Sequence, residues 1–286
     1  MSGTLPALVT PLHAPGELDL PGLARLAERA VEEGASGVLV AGSTGEGTLL
    51  SPADRRAVTA AAVHAGVTVI AGASGATLDD LHADVERLAG TGAEAVLVLP
   101  PAYQPLSPEE VVDVHVAVAD RARVPTLVYH IPQFTGSPLT PEAVGKLAEH
   151  PNIVAIKDSS PDADRRARFI TAAGGRLGVF VGHAPTIGQA LRAGAAGSIT
   201  AIANLRLRQV LDLHAAVASG DDDQVERLQS SLADCEHALR AVPASMPAAV
   251  KAAMQLAGTL DERWCVAPLR SVSGGQLDLV RTALLR

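Results

Sequence analysis

Eight short apolar runs rich in Val, Ile, Leu and Ala recur along this chain, at 5–10, 37–41, 68–72, 95–99, 126–129, 153–157, 178–181 and 197–200. Their centres lie about 30 residues apart at first and about 20 apart near the end, the size of a β–α unit. The runs are continuous rather than alternating, as in parallel strands buried on both faces. Amphipathic stretches separate them. Leu23, Leu26, Ala27, Ala30 and Val31 repeat at helical spacing after Asp19 and Pro21. Ser51-Pro52, Thr77 with Asp79-Asp80, Ser107-Pro108-Glu109-Glu110 and Thr140-Pro141-Glu142 open the next four helices. Each opening pairs a capping hydroxyl with proline or acids in the first turn, where the helix dipole favours negative charge. Gly34, Gly66 and Gly92 stand where helices stop before the next strand.

Eight strands in strict β–α alternation predict an α/β fold, a closed (β/α)8 TIM barrel. An open doubly wound sheet is the competing architecture, because periodicity does not distinguish closure from openness. Beyond Thr200 the strand pattern ends, and 205–219, 221–237, 247–256 and 276–285 read as helices. We therefore expect the barrel over residues 1–219 and a C-terminal helical extension over 220–286.

Composition removes several function classes. Thirty-one acids against 23 bases leave a net charge of −8, and aromatics are 2% of the chain. An acidic surface without stacking platforms argues against nucleic acid and anionic membranes as partners. Two cysteines form no disulfide framework, and the nine histidines show no HExxH or comparable metal spacing. No apolar run approaches membrane-spanning length and no secretory leader opens the chain, so a cytoplasmic protein without metal or cofactor is expected.

In a barrel the chemistry collects at the carboxyl ends of the strands. Those positions here are Gly42-Ser43-Thr44-Gly45-Glu46-Gly47, residues 100–103, Tyr129-His130, Lys157-Asp158 and Gly182-His183. The chain has only three lysines, Lys146, Lys157 and Lys251, and two tyrosines, Tyr103 and Tyr129. One lysine and both tyrosines fall in this short set. A lysine titrates near 10.4 in water, so roughly one in a thousand is neutral at pH 7.4. Burial disfavours the ammonium and turns such a lysine into a nucleophile toward carbonyls. The alternative is a strand-end lysine paired with Asp158 or reaching solvent. Lys146 lies in a polar helix and Lys251 among alanines of a tail helix, which suits structural roles. The Gly42–Gly47 stretch offers backbone N–H groups and two hydroxyls; its GxxGxG pattern lacks the lysine of a phosphate loop, so a carboxylate suits it better than a nucleotide. A plain glycine-rich turn is the other reading. His130 and His183 are more simply hydrogen-bonded structural histidines, and Cys235 and Cys265 buried small hydrophobes.

Three segments together resemble the dihydrodipicolinate synthase and N-acetylneuraminate lyase superfamily of Schiff-base aldolases. Gly42-Ser43-Thr44-Gly45-Glu46 is similar to its G-[ST]-[ST]-G-E loop, the segment from Tyr129 through Pro132 to Thr135-Gly136 to its Y-x-x-P-x-x-T-G motif, and Ile156-Lys157-Asp158-Ser159 to the segment holding the imine lysine. The resemblance implies that Lys157 forms the imine with a 2-oxo acid such as pyruvate and that Tyr129 relays protons. It implies that Thr44 and Tyr103 complete the relay, Tyr103 reaching in from a neighbouring subunit of a homodimer or homotetramer. Ser43 and Thr44 would bind the carboxylate, with Gly182 and Ile199 placing backbone groups near the substrate. Phe134 stands where synthases that condense pyruvate with aspartate semialdehyde usually carry arginine, and Ala102 replaces a tyrosine common in them. Those departures, with the Lys-Asp-Ser segment and Ala203-Asn204, resemble 4-hydroxy-2-oxoglutarate and 2-keto-3-deoxy acid aldolases instead. The expected activity is reversible cleavage of a 4-hydroxy-2-oxo acid to pyruvate and an aldehyde. Dihydrodipicolinate synthesis is the first alternative and a sugar-acid dehydratase the next. A nucleotide-binding enzyme and a non-catalytic 2-oxo acid sensor are the rivals from other classes.

Overall fold

The computed structural model describes residues 1–285. Eight parallel strands form one sheet: β1 (Gly3–Pro6), β4 (Val38–Val40), β5 (Val69–Ala73), β6 (Ala95–Val98), β7 (Thr126–His130), β8 (Ile153–Asp158), β9 (Gly178–Val181) and β10 (Gly197–Thr200). The hydrogen-bonded order runs β1-β10-β9-β8-β7-β6-β5-β4. A parallel bridge between Ala7 and Leu39 joins the two ends, with Leu8 N–H donating to Leu39 O at 2.9 Å. Closure settles the architecture as a (β/α)8 barrel and excludes the open sheet. A two-stranded hairpin, β2 (Leu12–Ala14) and β3 (Glu17–Leu18), follows β1 and has no counterpart among the eight apolar runs.

Helices α1 (Leu20–Glu32), α2 (Pro52–His64), α3 (Leu78–Ala89), α4 (Pro108–Arg121), α5 (Pro132–Thr135), α6 (Pro141–Leu147), α7 (Ala163–Ala173), α8 (Ile187–Arg192) and α9 (Ala203–Ser219) connect and follow the strands. The expected caps are present. Asp19 accepts from Gly22 N, Ser51 from Asp54 N and Thr140 from Ala143 N, while Thr77/Asp80 and Ser107/Glu110 form reciprocal capping boxes. These bonds satisfy backbone donors that a helix start otherwise leaves open.

Strand β1 is shorter than its apolar run. Ala7 and Leu8 N–H still donate to Thr200 O and Leu39 O, but beyond them the ladder ends: Val9 N–H donates to Asn204 Oδ1 (3.2 Å), and the Thr10 side chain donates through Oγ1 to Gly45 O (2.6 Å). The run stays buried through Thr10, but from Val9 onward side-chain hydrogen bonds replace the ladder.

Alternate strand residues face inward and fill the barrel. Leu5, Leu39, Leu97, Leu127, Ala155, Phe180 and Ile199 form that interior cluster, which Tyr129 caps. The opposite strand faces meet the helices; Val96 and Val98 pack with Leu81, Val85 and Leu88 of α3. The register sets Tyr129 beside Lys157 and Lys157 beside Phe180, so the Tyr129 and Lys157 side chains continue the inward rows of Leu127 and Ala155.

Three further helices, α10 (Asp222–Arg240), α11 (Met246–Leu256) and α12 (Gln276–Leu284), follow α9. Buried residues of α9, α10, α11 and α12 share one apolar cluster with α1 and β4. Seven consecutive residues of α11, Ala248 to Met254, are buried, so this alanine-rich helix is enclosed on all sides. Among the described residues, no helix is long and apolar enough to cross a membrane.

Candidate active site

Lys157 leaves β8 into the barrel mouth and is 3% exposed. Its Nζ lies 3.5 Å from the Tyr129 hydroxyl and 4.5 Å from the centre of the Tyr129 ring. That hydroxyl lies 3.2 Å from Ser43 Oγ, so one short chain of polar atoms links the lysine to the glycine-rich turn. Gly42, Ser43, Gly72, Leu97 and Tyr129 line a small cleft beside it.

The pairing of Lys157 with its sequence neighbour Asp158 does not occur. Asp158 faces the other way, out of the barrel interior, and is fully committed. His130 Nδ1 stands 2.7 Å from its Oδ1, Ser160 N–H donates to the same oxygen (3.1 Å), and Arg166 Nε lies 2.7 Å from Oδ2. Leu139 N–H donates to His130 Nε2 at 3.2 Å, which puts the ring proton on Nδ1. Burial alone would raise the Asp158 carboxyl, but the His130 hydrogen bond and the Arg166 charge outweigh it and hold it below its ordinary value. Among the described residues no carboxylate lies within ion-pairing distance of Lys157 Nζ, so nothing neutralises an ammonium there.

Two glycines make room for these groups. A Cβ on Gly182 would stand 2.1 Å from Ser159 Oγ and 3.1 Å from Lys157 Cε. A Cβ on Gly47 would stand 1.7 Å from Ala41 O, so the turn folds back on the end of β4 only because that position is bare. Ala41 and Glu46 adopt left-handed backbone conformations, with φ of 53° and 58°. Non-glycine residues avoid that region, and strain of this kind gathers at binding turns.

The structure brings Lys157, Tyr129 and Ser43 together, sets Gly182 against the lysine stem, and buries Thr44 in the same turn. Ile199 is fully buried in the cluster beneath Tyr129. Tyr103 joins none of them within the chain; it is 93% exposed. Phe134 opens onto solvent at 70% exposure from α5, just past the carboxyl end of β7. His183 is half-buried, contacts Thr186 Oγ1, and burial lowers its pKa.

Sequence reasoning did not find the supports of the site. Arg55 Nη1 donates to Gly47 O (3.0 Å) and Leu50 O (2.8 Å), while its Nε donates to buried Asp84 (3.0 Å). Arg166 holds Asp158 from α7 and donates to Thr186 Oγ1 at 2.8 Å. Both arginines sit in amphipathic helices, where their residue type alone suggests a solvated face. Among the described residues no group of three or more His, Cys, Asp or Glu is placed to hold a metal ion.

The profile of the dihydrodipicolinate synthetase family matches residues 1–285. The chain belongs to that family. An uncharacterized DapA-like lyase of Halobacterium salinarum is 34% identical to it, over 99% of this chain and 92% of the relative. A 4-hydroxy-tetrahydrodipicolinate synthase of Acidiphilium cryptum is 32% identical, over 99% and 98%. The crystal structure of a chloride-inhibited dihydrodipicolinate synthase from Acinetobacter baumannii, complexed with pyruvate, superposes with a TM-score of 0.92 at 27% identity, covering 99% of this chain and 98% of that one. The chain is accordingly a carbon–carbon lyase of the class I aldolase type. Members of the family act on pyruvate and an aldehyde.

Proposed function

We propose that this enzyme reversibly cleaves a 4-hydroxy-2-oxo acid to pyruvate and an aldehyde through a Schiff base on Lys157. The observation that carries the reading is the buried Lys157 Nζ, without a carboxylate partner among the described residues, against the Tyr129 hydroxyl, itself in contact with Ser43. In this scheme the neutral amine adds to carbon 2 of the substrate, and loss of water from the carbinolamine leaves an imine. The protonated imine is an electron sink. When the bond between carbons 3 and 4 breaks, its electron pair becomes the enamine while the aldehyde departs. Tyr129 gives its hydroxyl proton to the carbinolamine oxygen as that leaves as water, and the resulting phenolate accepts the proton of the C4 hydroxyl when the bond breaks. Protonation at carbon 3 and hydrolysis then release pyruvate and free Lys157.

Ser43 and Thr44, with the backbone N–H groups of their turn, hold the substrate carboxylate. Thr44 and Tyr103 extend the proton relay. Because Tyr103 is 93% exposed, we assign it to the site of a second copy, in a homodimer or homotetramer. Phe134 is apolar where a charged side chain would be needed to grip a second carboxylate, which favours sugar-derived 4-hydroxy-2-oxo acids that lack one, as in 2-keto-3-deoxy acid aldolases.

A second reading has its own support. Several relatives, including that of Acidiphilium cryptum, are named 4-hydroxy-tetrahydrodipicolinate synthase. In that case pyruvate on Lys157 condenses with aspartate semialdehyde. A substrate panel separates the two. Pyruvate release from 4-hydroxy-2-oxo acids with little turnover of aspartate semialdehyde supports cleavage. Condensation with aspartate semialdehyde at a kcat/KM above that of every 4-hydroxy-2-oxo acid overturns it in favour of the synthase.

A further inference from the structure

Glu46, the acid of the glycine-rich turn, points away from the cleft. It is 2% exposed, and its Oε2 accepts a hydrogen bond from Val266 N–H at 2.6 Å. Its Oε1 lies 2.5 Å from Nζ of Lys251, which is itself fully buried within α11. Lys251 Nζ also donates to Trp264 O at 2.7 Å. One carboxylate and one ammonium thus fasten the turn to both α11 and the segment at 264–266.

Taking two charges out of water costs much of what their attraction returns, so a buried pair is weak evidence for stability. Its location says more. Glu46 holds a left-handed conformation unusual for a residue with a side chain, and the turn closes through Glu46 N–H to Ser43 O and Gly47 N–H to Gly42 O. The pair therefore anchors the one residue whose backbone reverses the chain just after Ser43 and Thr44. Arg55 braces the far side of the same turn through Gly47 O.

Resting on the aldolase reading above, we infer that Lys251 and Glu46 are positioning residues for the substrate carboxylate. They hold the Ser43–Thr44 hydroxyls and backbone N–H groups in the geometry that binds a 2-oxo acid. The C-terminal segment thereby sets affinity for that acid without touching it.

The test compares the wild type, Lys251→Met and the charge-neutral Glu46→Gln/Lys251→Met. Borohydride trapping on Lys157 is followed against pyruvate concentration, with steady-state KM and kcat measured alongside. The double variant leaves no unpaired buried charge. We expect its half-saturating pyruvate and its KM for pyruvate to rise at least tenfold while kcat changes less than threefold. Lys251→Met should show a rise at least as large. Half-saturation within twofold of wild type in the double variant reduces the pair to a structural role and overturns the inference. Should neither variant fold, hydrogen exchange on the unmodified protein decides it. Pyruvate is expected to slow exchange of the Val266 amide together with those of residues 43–47; protection confined to 43–47 overturns the coupling. Absence of any Lys157 adduct in the wild type would instead overturn the aldolase reading, and the inference with it.

Discussion

Gly182→Ala probes whether the placement of Lys157, rather than its mere presence, carries the chemistry. Nothing in the backbone forbids alanine there, so the effect comes from the added methyl group. An ideal Cβ meets Ser159 Oγ at 2.1 Å and Lys157 Cε at 3.1 Å. The serine hydroxyl can swing aside about one bond. The lysine stem is buried against the Tyr129 ring and must retreat to ordinary contact, 3.4 − 3.1 = 0.3 Å or more. Overpacking of this kind costs roughly 1–3 kcal/mol, and a displacement near 1 Å at a reacting atom costs about 10²-fold in rate. The smaller shift at Cε, carried out to Nζ, should slow borohydride-trapped adduct formation with pyruvate roughly tenfold, with the fold intact by circular dichroism. The double variant Ser159→Ala/Gly182→Ala removes the 2.1 Å contact and leaves those at 3.1 Å, to Lys157 Cε and to the Cβ at position 159. It should regain most of the lost stability and stay slow in trapping. Wild-type trapping in Gly182→Ala, or full recovery in the double variant, would refute the argument that Gly182 makes room for the lysine.

Three further outcomes follow from the same geometry. Tyr129→Phe keeps the ring against Lys157 and removes the hydroxyl between Nζ and Ser43; kcat should fall about 10²–10⁴-fold with Tm nearly unchanged, and a loss below tenfold would remove Tyr129 from the relay. Asp158→Asn leaves the buried Arg166 charge without its counter-ion, and urea unfolding should show a loss of about 3–5 kcal/mol. His214, hydrogen-bonded to Ser198, has its pKa pushed down by burial from 6.5 to about 4. The unfolded chain therefore binds the proton first, so this contribution is present above pH 6.5 and is lost as pH falls toward 4, about 3 kcal/mol in all. The stability difference between wild type and His214→Gln should shrink over that window, and a constant difference would contradict the assignment.

Local signals carried most of the fold. Ser51, Thr77, Ser107 and Thr140 were legible as caps because a cap and its N–H partner lie three residues apart. Apolar runs located all eight strands, since both faces of each are buried. The overrun at 7–10 shows the limit: burial reads the same whether the backbone pairs with a strand or with Asn204. At the candidate site, the proximity of Lys157, Tyr129 and Ser43 was legible because strand ends converge. The supports were not, because Glu46–Val266 spans 220 residues of sequence and Arg55–Asp84 spans 29. Neither periodicity nor residue type names the partner of a buried charge. The left-handed conformation of Glu46 carried no compositional sign either, since glycine is the usual marker of such a position.

The central claim is that Lys157 is the nucleophile, and it is tested most directly by reducing the protein with borohydride in the presence of pyruvate and mapping the modified peptide by mass spectrometry. The expected result is a single pyruvate-derived adduct on Lys157, absent from Lys157→Met and from protein reduced without pyruvate. A folded protein that gives no adduct, or one modified at Lys146 or Lys251 instead, would contradict it.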